Sequence, residues 1–364
     1  MEELKNKVKA VLGGRRIFIF LGVIIFCLIP WLGYYLHGYI DGSEKSREGS
    51  AAIAGSGEKN EPKVEMARRW IDGVMVEKGK ENLFPAAIMI ENHVDARPQS
   101  GLTKANLVYE AEAEGGITRF LAIYASGDEI KKIGPIRSAR PYYIDWSADL
   151  HALYIHCGGS PDALAKIARE NIFDLNEFYN TAAFWREKSR PAPHNVYSSS
   201  GLISAYLDKS EADISQKNES AVSWKYKDDL EPLARPEDSA ITVFYRGNDF
   251  TVQWKYDKIT NDYSRFEGGL AHVMEDGTPI KAKNIIIQSV QSRVIDEEGR
   301  RQIETIGSGK AKICLDGSCG DGSWKKKNKS GRTFYYNAAG EEIEFNAGTT
   351  WVEVIPNGYK VNAE

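Results

Sequence analysis

Cysteine is scarce: the 364 residues contain four. That excludes a disulfide framework as the basis of the fold, and a chain with 42% hydrophobic and 27% charged residues has core enough without one. An excess of charge of one sign is also lacking. A formal net charge of -4 and a pI near 6.0 give no basic footprint for nucleic acid, which is set aside as a partner. The six histidines form no HExxH or similarly spaced pair, so the sequence calls for no metal, and no cofactor is expected. The serine-hydrolase elbow G-x-S-x-G is missing too, since Ser160 follows Gly158-Gly159 instead.

Long apolar runs are few, but one decides the topology. From Ile17 to Leu36 the chain reads IFIFLGVIIFCLIPWLGYYL without a charge, enough for a membrane-crossing helix. Lys5, Lys7, Lys9, Arg15 and Arg16 precede it, which places the amino terminus in the cytoplasm and the bulk of the chain outside. No small-x-small cleavage site follows closely, so the run reads as a retained anchor in the cell membrane. Cys27 reads as a small apolar residue, because Ile25 and Phe26 stand where a lipid-accepting cysteine needs small neighbours. The organisation is therefore a cytoplasmic tail (1–16), an anchor (17–40) and a Gly- and Ser-rich stalk (41–62).

Beyond the stalk the fold class is α+β, with a mixed α/β ectodomain (63–210), a polar linker (211–239) and an all-β domain (240–360). PAAIMIEN is a buried strand, and LVYEAEAE alternates apolar and acidic residues as a strand does. Only Gly115 to Thr118 separate it from RFLAIYAS, too few for a crossover helix, so the two form an antiparallel hairpin. Helices are expected from Pro141, from Pro161 after the strand LYIH and the Gly158-Gly159 turn, and after Ser199-Ser200. From Ala240 the runs ITVFYR, TVQWKY, NIIIQSV, AKICL, RTFYYN and TTWVEVI, parted by turn residues, read as strands of a sandwich or a partly closed barrel.

The centre of interest is Glu110 to Arg140. Arg119, Arg137 and Arg140 each sit where a strand meets a loop, and their guanidiniums either converge on an anion or are cancelled by Glu110, Glu112 and Glu114. Asn92, Ser138, Gly158, Gly159, Ser160 and His194 complete the candidate ligand-binding set. His93, Asp145 and His156 are the candidates for proton transfer. Asp145, Asp149 and Asp162 with Glu91 are weighed as a cation site and read first as solvated carboxylates. Cys314 and Cys319 flank an Asp-Gly turn, so a hairpin would bring their sulfurs together. Lys325, Lys326, Lys327, Lys329 and Arg332 form either a charged hairpin or a contact for anionic lipid or wall polymer.

On ENHVDARPQSGL, YEAEAEGGITRF, GPIRSARPYY and HCGGSPDA, and later on GSGKA, GSW and TTWVEVIP, the chain resembles the YerB-like lipoprotein family, whose members carry DUF3048. The resemblance spans about Pro85 to Pro356. It implies a two-domain extracytoplasmic protein of unknown activity at the outer face of the membrane, and Cys27 departs from its lipoprotein label. A fainter similarity is to the LytR-CpsA-Psr transferases, through a loop arginine after a strand and a GG strand-to-helix turn; Ser138 stands where their arginine-aspartate pair would need the acid. The expected function is a membrane-anchored envelope protein that binds an anionic cell-wall-related ligand or partner protein. The alternative is a transferase or hydrolase acting on a phosphorylated wall precursor.

Overall fold

The computed structural model describes residues 64–210 and 222–364. The tail, anchor and stalk lie outside the described residues, as do 211–221 of the expected linker. Among the described residues no helix is long and apolar enough to cross a membrane.

The first part of the chain supplies β1 (Ala86–Glu91), β2 (Leu107–Glu114), β3 (Ile117–Tyr124), α1 (Pro141–Ala148), β4 (Leu153–His156), α2 (Pro161–Glu170), β5 (Asp174–Asn176) and α3 (Ser200–Lys209). The later part supplies β6 (Ala240–Phe244), β7 (Thr251–Asp257), β8 (Asp262–Glu267), β9 (Asn284–Val290), β10 (Gly307–Leu315), β11 (Ser318–Lys326), β12 (Phe334–Asn337), β13 (Thr350–Pro356) and β14 (Val361–Ala363). The α+β class holds, with strands predominating.

Helix starts follow local chemistry. Pro141 and Pro161 occupy first-turn positions where a missing N–H costs nothing, and the hydroxyls of Ser160 and Ser199 accept from Ala163 N and Leu202 N. The β2–β3 hairpin is antiparallel as its short connection requires. Cys314 and Cys319 face each other across the β10–β11 hairpin and are bonded. Asp316 and Gly317 both take positive φ there, the conformation that a two-residue turn between twisted strands demands.

The expected partition into an α/β part and a β part does not describe how the strands pair. Ten strands form one mixed sheet in the order β12-β11-β10-β9-β13-β2-β3-β1-β4-β5. The seam is the parallel pair β13–β2, where a strand from near the carboxy terminus lies beside one from the first part and sets Glu353 opposite Glu110. Segment 240–360 is instead divided between two sheets, since β6, β7, β8 and β14 form a second one. The expected linker also takes part, because Lys225–Lys227 pairs in parallel with Glu344–Asn346 and Trp224 is buried.

Strand alternation assigns the faces of the large sheet. Ala87, Met89, Leu121 and Tyr109 point to one side, against Tyr142, Tyr143 and Trp146 of α1. Ile88, Ile90, Val108, Phe120 and Ala122 point to the other, against Ile241, Val243, Trp254 and Tyr263 of the second sheet. Glu110 and Glu112 share that second side and are buried beneath the second sheet. Buried carboxylates need partners: Arg265 of the second sheet meets Glu110, and Arg301, from a hairpin between β9 and β10, meets Glu112.

Candidate functional site

Glu110 is the centre of a sealed knot. Arg265 on β8 donates to Glu110 at 2.6 Å and to Glu267 at 2.9 Å, and its cation lies over the rings of Phe120, Trp254 and Trp351. Glu353 accepts from Trp254 Nε1 at 2.8 Å and from the Tyr245 hydroxyl at 2.9 Å. Asn92, a predicted site residue, turns inward and donates to Thr118 and Glu267. Arg97 adds a second guanidinium, 3.1 Å from Glu267. Three carboxyls thus meet two cations, and burial pushes Glu110 well above the ordinary carboxylate range and Glu353 up as well. His272 is held neutral by burial and by Arg265 and Arg97, so its Nδ1 accepts from Arg265 while Nε2 donates to Gln99 at 2.8 Å.

Glu112 is likewise internal, paired with Arg301 at 2.8 Å and accepting from the Tyr359 hydroxyl. Glu114, the last of the three, takes both Arg119 and Arg140. Arg140 grips it through Nε at 3.0 Å and Nη2 at 2.6 Å, and Arg119 closes from the side while also donating to the Ser138 carbonyl. Burial alone would raise the Glu114 carboxyl, but the two guanidiniums outweigh it and hold it below its ordinary value. Of the two readings of the arginines, cancellation by an acid holds for Arg119 and Arg140. Two of the three are consumed on a single glutamate at the hairpin end, with side chains only 4% and 9% exposed.

Arg137 behaves differently because of where its loop lies. The loop is hydrogen-bonded to β1 through Arg137 N to Met89 O and Glu91 N to Pro135 O, to the turn after β4 through Cys157 N to Arg137 O, and to Val196 through Ile136 N. That threading puts Arg137 at the carboxyl ends of the parallel strands β1, β4 and β5, the customary ligand-facing edge of such sheets. Its Nε donates to Glu91 Oε1 at 2.8 Å, and His194 Nδ1 donates to Glu91 Oε2 at 2.9 Å. The His93 ring stacks on His194 with centroids 4.9 Å apart, and the donor atoms of His93, Asp95 and His194 all lie within 4.8 Å of one another. Beside this group the Cys157 thiol donates to Glu177, which Arg186 holds at 3.0 Å. Burial and then the Glu177 charge push the thiol up to about 11, so it stays protonated and unreactive at neutral pH.

The remaining predicted residues separate into structural roles. His156 is fully buried, with Nδ1 on the Gly158 carbonyl and Nε2 on Asp174, which removes it as a general base. Asp145 is tied to Lys166 at 2.9 Å and to the Thr305 hydroxyl. With Asp149 paired to Lys326, and Glu91 spent on Arg137 and His194, the weighed cation site does not assemble. Gly158 takes φ +62 under the Phe178 ring, and Gly159 packs against Ala139 and Leu164, so both serve the tight turn into α2 that Ser160 caps. The basic hairpin is divided: Lys326 is buried, Arg332 lies over the rings of Trp70 and Trp224, and Lys329 pairs with Glu170 at 2.5 Å, while Lys325 and Lys327 are exposed.

Sequence reasoning missed Glu91 as a hub and Asp95 as a neighbour of His194. A glutamate ending an otherwise apolar strand, followed by Asn92 and His93, was the available signal.

Fold and site define an α+β protein with one large mixed sheet, a second sheet packed on it, and a polar cluster at the parallel strand ends. The chain belongs to the family described as "Protein of unknown function (DUF3048)", matching its N-terminal domain over residues 72–214 and its C-terminal domain over 241–352. It is 32% identical over 299 residues to "Putative lipoprotein YerB" of Bacillus subtilis, covering 79% of this chain and 86% of that one. The crystal structure of the YerB protein from Bacillus subtilis is similar at a TM-score of 0.70 and 29% identity, over 81% of this chain and 99% of that one.

Proposed function

We propose that this chain is a membrane-anchored envelope protein, its bulk outside the cytoplasm, that binds an anionic group of a cell-wall polymer or envelope partner at Arg137. The location is supported by the uncharged run from Ile17 to Leu36 behind a basic tail, and by the lipoprotein name of the Bacillus subtilis relative. Where that name implies a lipid, Ile25 and Phe26 before Cys27 favour a protein helix as the anchor here.

One observation carries the site. Arg137 spends only its Nε on Glu91, its side chain is 24% exposed, and its two terminal nitrogens have no other partner among the described residues. Such a planar pair of donors matches a phosphate or carboxylate. Asp145 and His156 are committed elsewhere, which favours binding over turnover.

The test is thermal unfolding of the full-length protein with polyprenyl-pyrophosphate-linked glycan or with isolated anionic wall polymer. Ligand at a hundred times its Kd stabilises by about 2.7 kcal/mol, and Arg137→Ala should abolish the shift. No shift with either ligand, or an equal shift in the variant, overturns the assignment. Release of a glycan product would favour the transferase alternative instead.

A further inference from the structure

From the cluster of His93, Asp95 and His194 we infer a binding site for one divalent transition-metal ion of the zinc and cobalt class, beyond the ligand reading above and independent of it. These residues come from two loops far apart in the chain, the turn after β1 and the loop that follows residue 186, and the arginine loop holds both in place.

Three observations bear on the metal. Glu91 Oε2 is a carboxylate oxygen and only accepts, so His194 carries a proton on Nδ1, and the neutral ring keeps its lone pair on Nε2 for coordination. A buried carboxylate on the far nitrogen is the usual partner of a metal-bound histidine, and here that carboxylate is itself fixed by Arg137. The second observation is a separation. His93 Nδ1 lies 3.4 Å from Asp95 Oδ2. Two ligands of a tetrahedral ion with bonds of about 2.0–2.1 Å stand roughly 3.3 Å apart, so this pair already has the spacing of a shared ion. The third is access: the His93 and Asp95 side chains are 31% and 65% exposed, free to close the remaining distance to His194.

Coordination through His93 Nδ1 displaces the long contact of 3.2 Å that this atom accepts from the Asp95 backbone N–H. Three protein donors leave a fourth position open to water or to an oxygen of an anionic group. Nitrogen and carboxylate donors without thiolate suit zinc, cobalt, nickel or manganese, and they disfavour copper(I).

The experiment uses the full-length chain without a histidine tag, stripped with chelator and titrated with cobalt(II) and then zinc. Wild type should take up one equivalent, show the visible d–d bands of a low-coordinate cobalt site, and lose them when zinc is added. His93→Gln and Asp95→Asn alter a partly exposed and an exposed side chain and should keep the wild-type circular dichroism while losing the bands. Glu91→Gln should weaken binding by roughly 10–100-fold without moving the bands. Absence of bands in wild type, or bands unchanged in His93→Gln, overturns the site. If Glu91→Gln fails to fold, the His93 and Asp95 variants still decide. No wall polymer is present in this titration, so its failure leaves the Arg137 assignment standing, and a failure at Arg137 leaves the metal site standing.

Discussion

The knot around Arg265 and the cluster around Glu91 are made of the same side chains, an arginine, glutamates and a histidine, and they differ in access to water. Around Arg265 the glutamates and the cation are buried between the two sheets, and the Arg265 nitrogens meet Glu110, Glu267 and His272 while three aromatic rings line the cation. Around Glu91 only the carboxylate is buried, and Arg137, His93 and Asp95 reach solvent at the strand ends. Burial turns the first set into a structural joint between two sheets. Partial exposure leaves the second with unspent donors, which is what a binding surface requires.

The strongest way to break this contrast is to remove the cation from each. Arg265→Ala leaves carboxylates buried without their partner, and losing one side of a buried pair costs roughly 3–5 kcal/mol. The thermal midpoint should fall by many degrees, or the protein should fail to fold. Arg137→Ala takes one partner from Glu91, which keeps His194, and the arginine removed is itself 24% exposed, so its midpoint should fall by clearly less than that of Arg265→Ala. Equal losses in the two variants would show that the strand-end cluster is also a structural joint.

The pH dependence sharpens the same contrast with a smaller effect. Glu110 and Glu353 have folded values raised above the unfolded one, so their contribution is complete below the ordinary carboxylate range and is lost as pH rises through the raised values. Glu114 is shifted the other way, so its contribution is present above the ordinary carboxylate value and lost as pH falls through the depressed one. Thermal midpoints measured against pH should therefore decline on both sides. Glu110→Gln should flatten the alkaline limb and Glu114→Gln the acid limb; the reverse assignment would refute the opposite shifts of the two carboxyls.

Local chemistry made much of the secondary structure legible. Alternation in LVYEAEAE marked β2, prolines and serines marked the helix starts, and the Asp-Gly turn marked the hairpin that joins Cys314 to Cys319. What could not be read is the pairing of β13 with β2, since a parallel neighbour so remote in sequence leaves no local trace. That one pairing decides the fate of the glutamates. Because β2 lies inside a large sheet with a second sheet across one face, Glu110 and Glu112 are interior groups, and their partners Arg265 and Arg301 lie in the later segment. Which of the two readings held for Arg119 and Arg140 was hidden for the same kind of reason: Glu114 takes both only once the hairpin end and the arginine loop are brought together. The nearness of His93 to His194 depends on the loop at 134–140 being hydrogen-bonded both to β1 and to Val196, which spacing in the sequence does not encode.

The smallest expected effect concerns the thiol at the edge of the strand-end cluster. Cys157 is partly buried, donates to Glu177 and is raised to about 11, with burial the larger cause and the Glu177 charge the next. A thiol reagent near pH 8 should therefore label it far more slowly than an unperturbed cysteine, since only the thiolate reacts. Glu177→Gln removes the charge and leaves the burial, so labelling should quicken modestly while the thermal midpoint barely moves. Rapid labelling of the wild-type thiol would mean that the strand-end face is more open than the Cys157–Glu177 contact allows, and Cys157 would then join Arg137 as an accessible group on that surface.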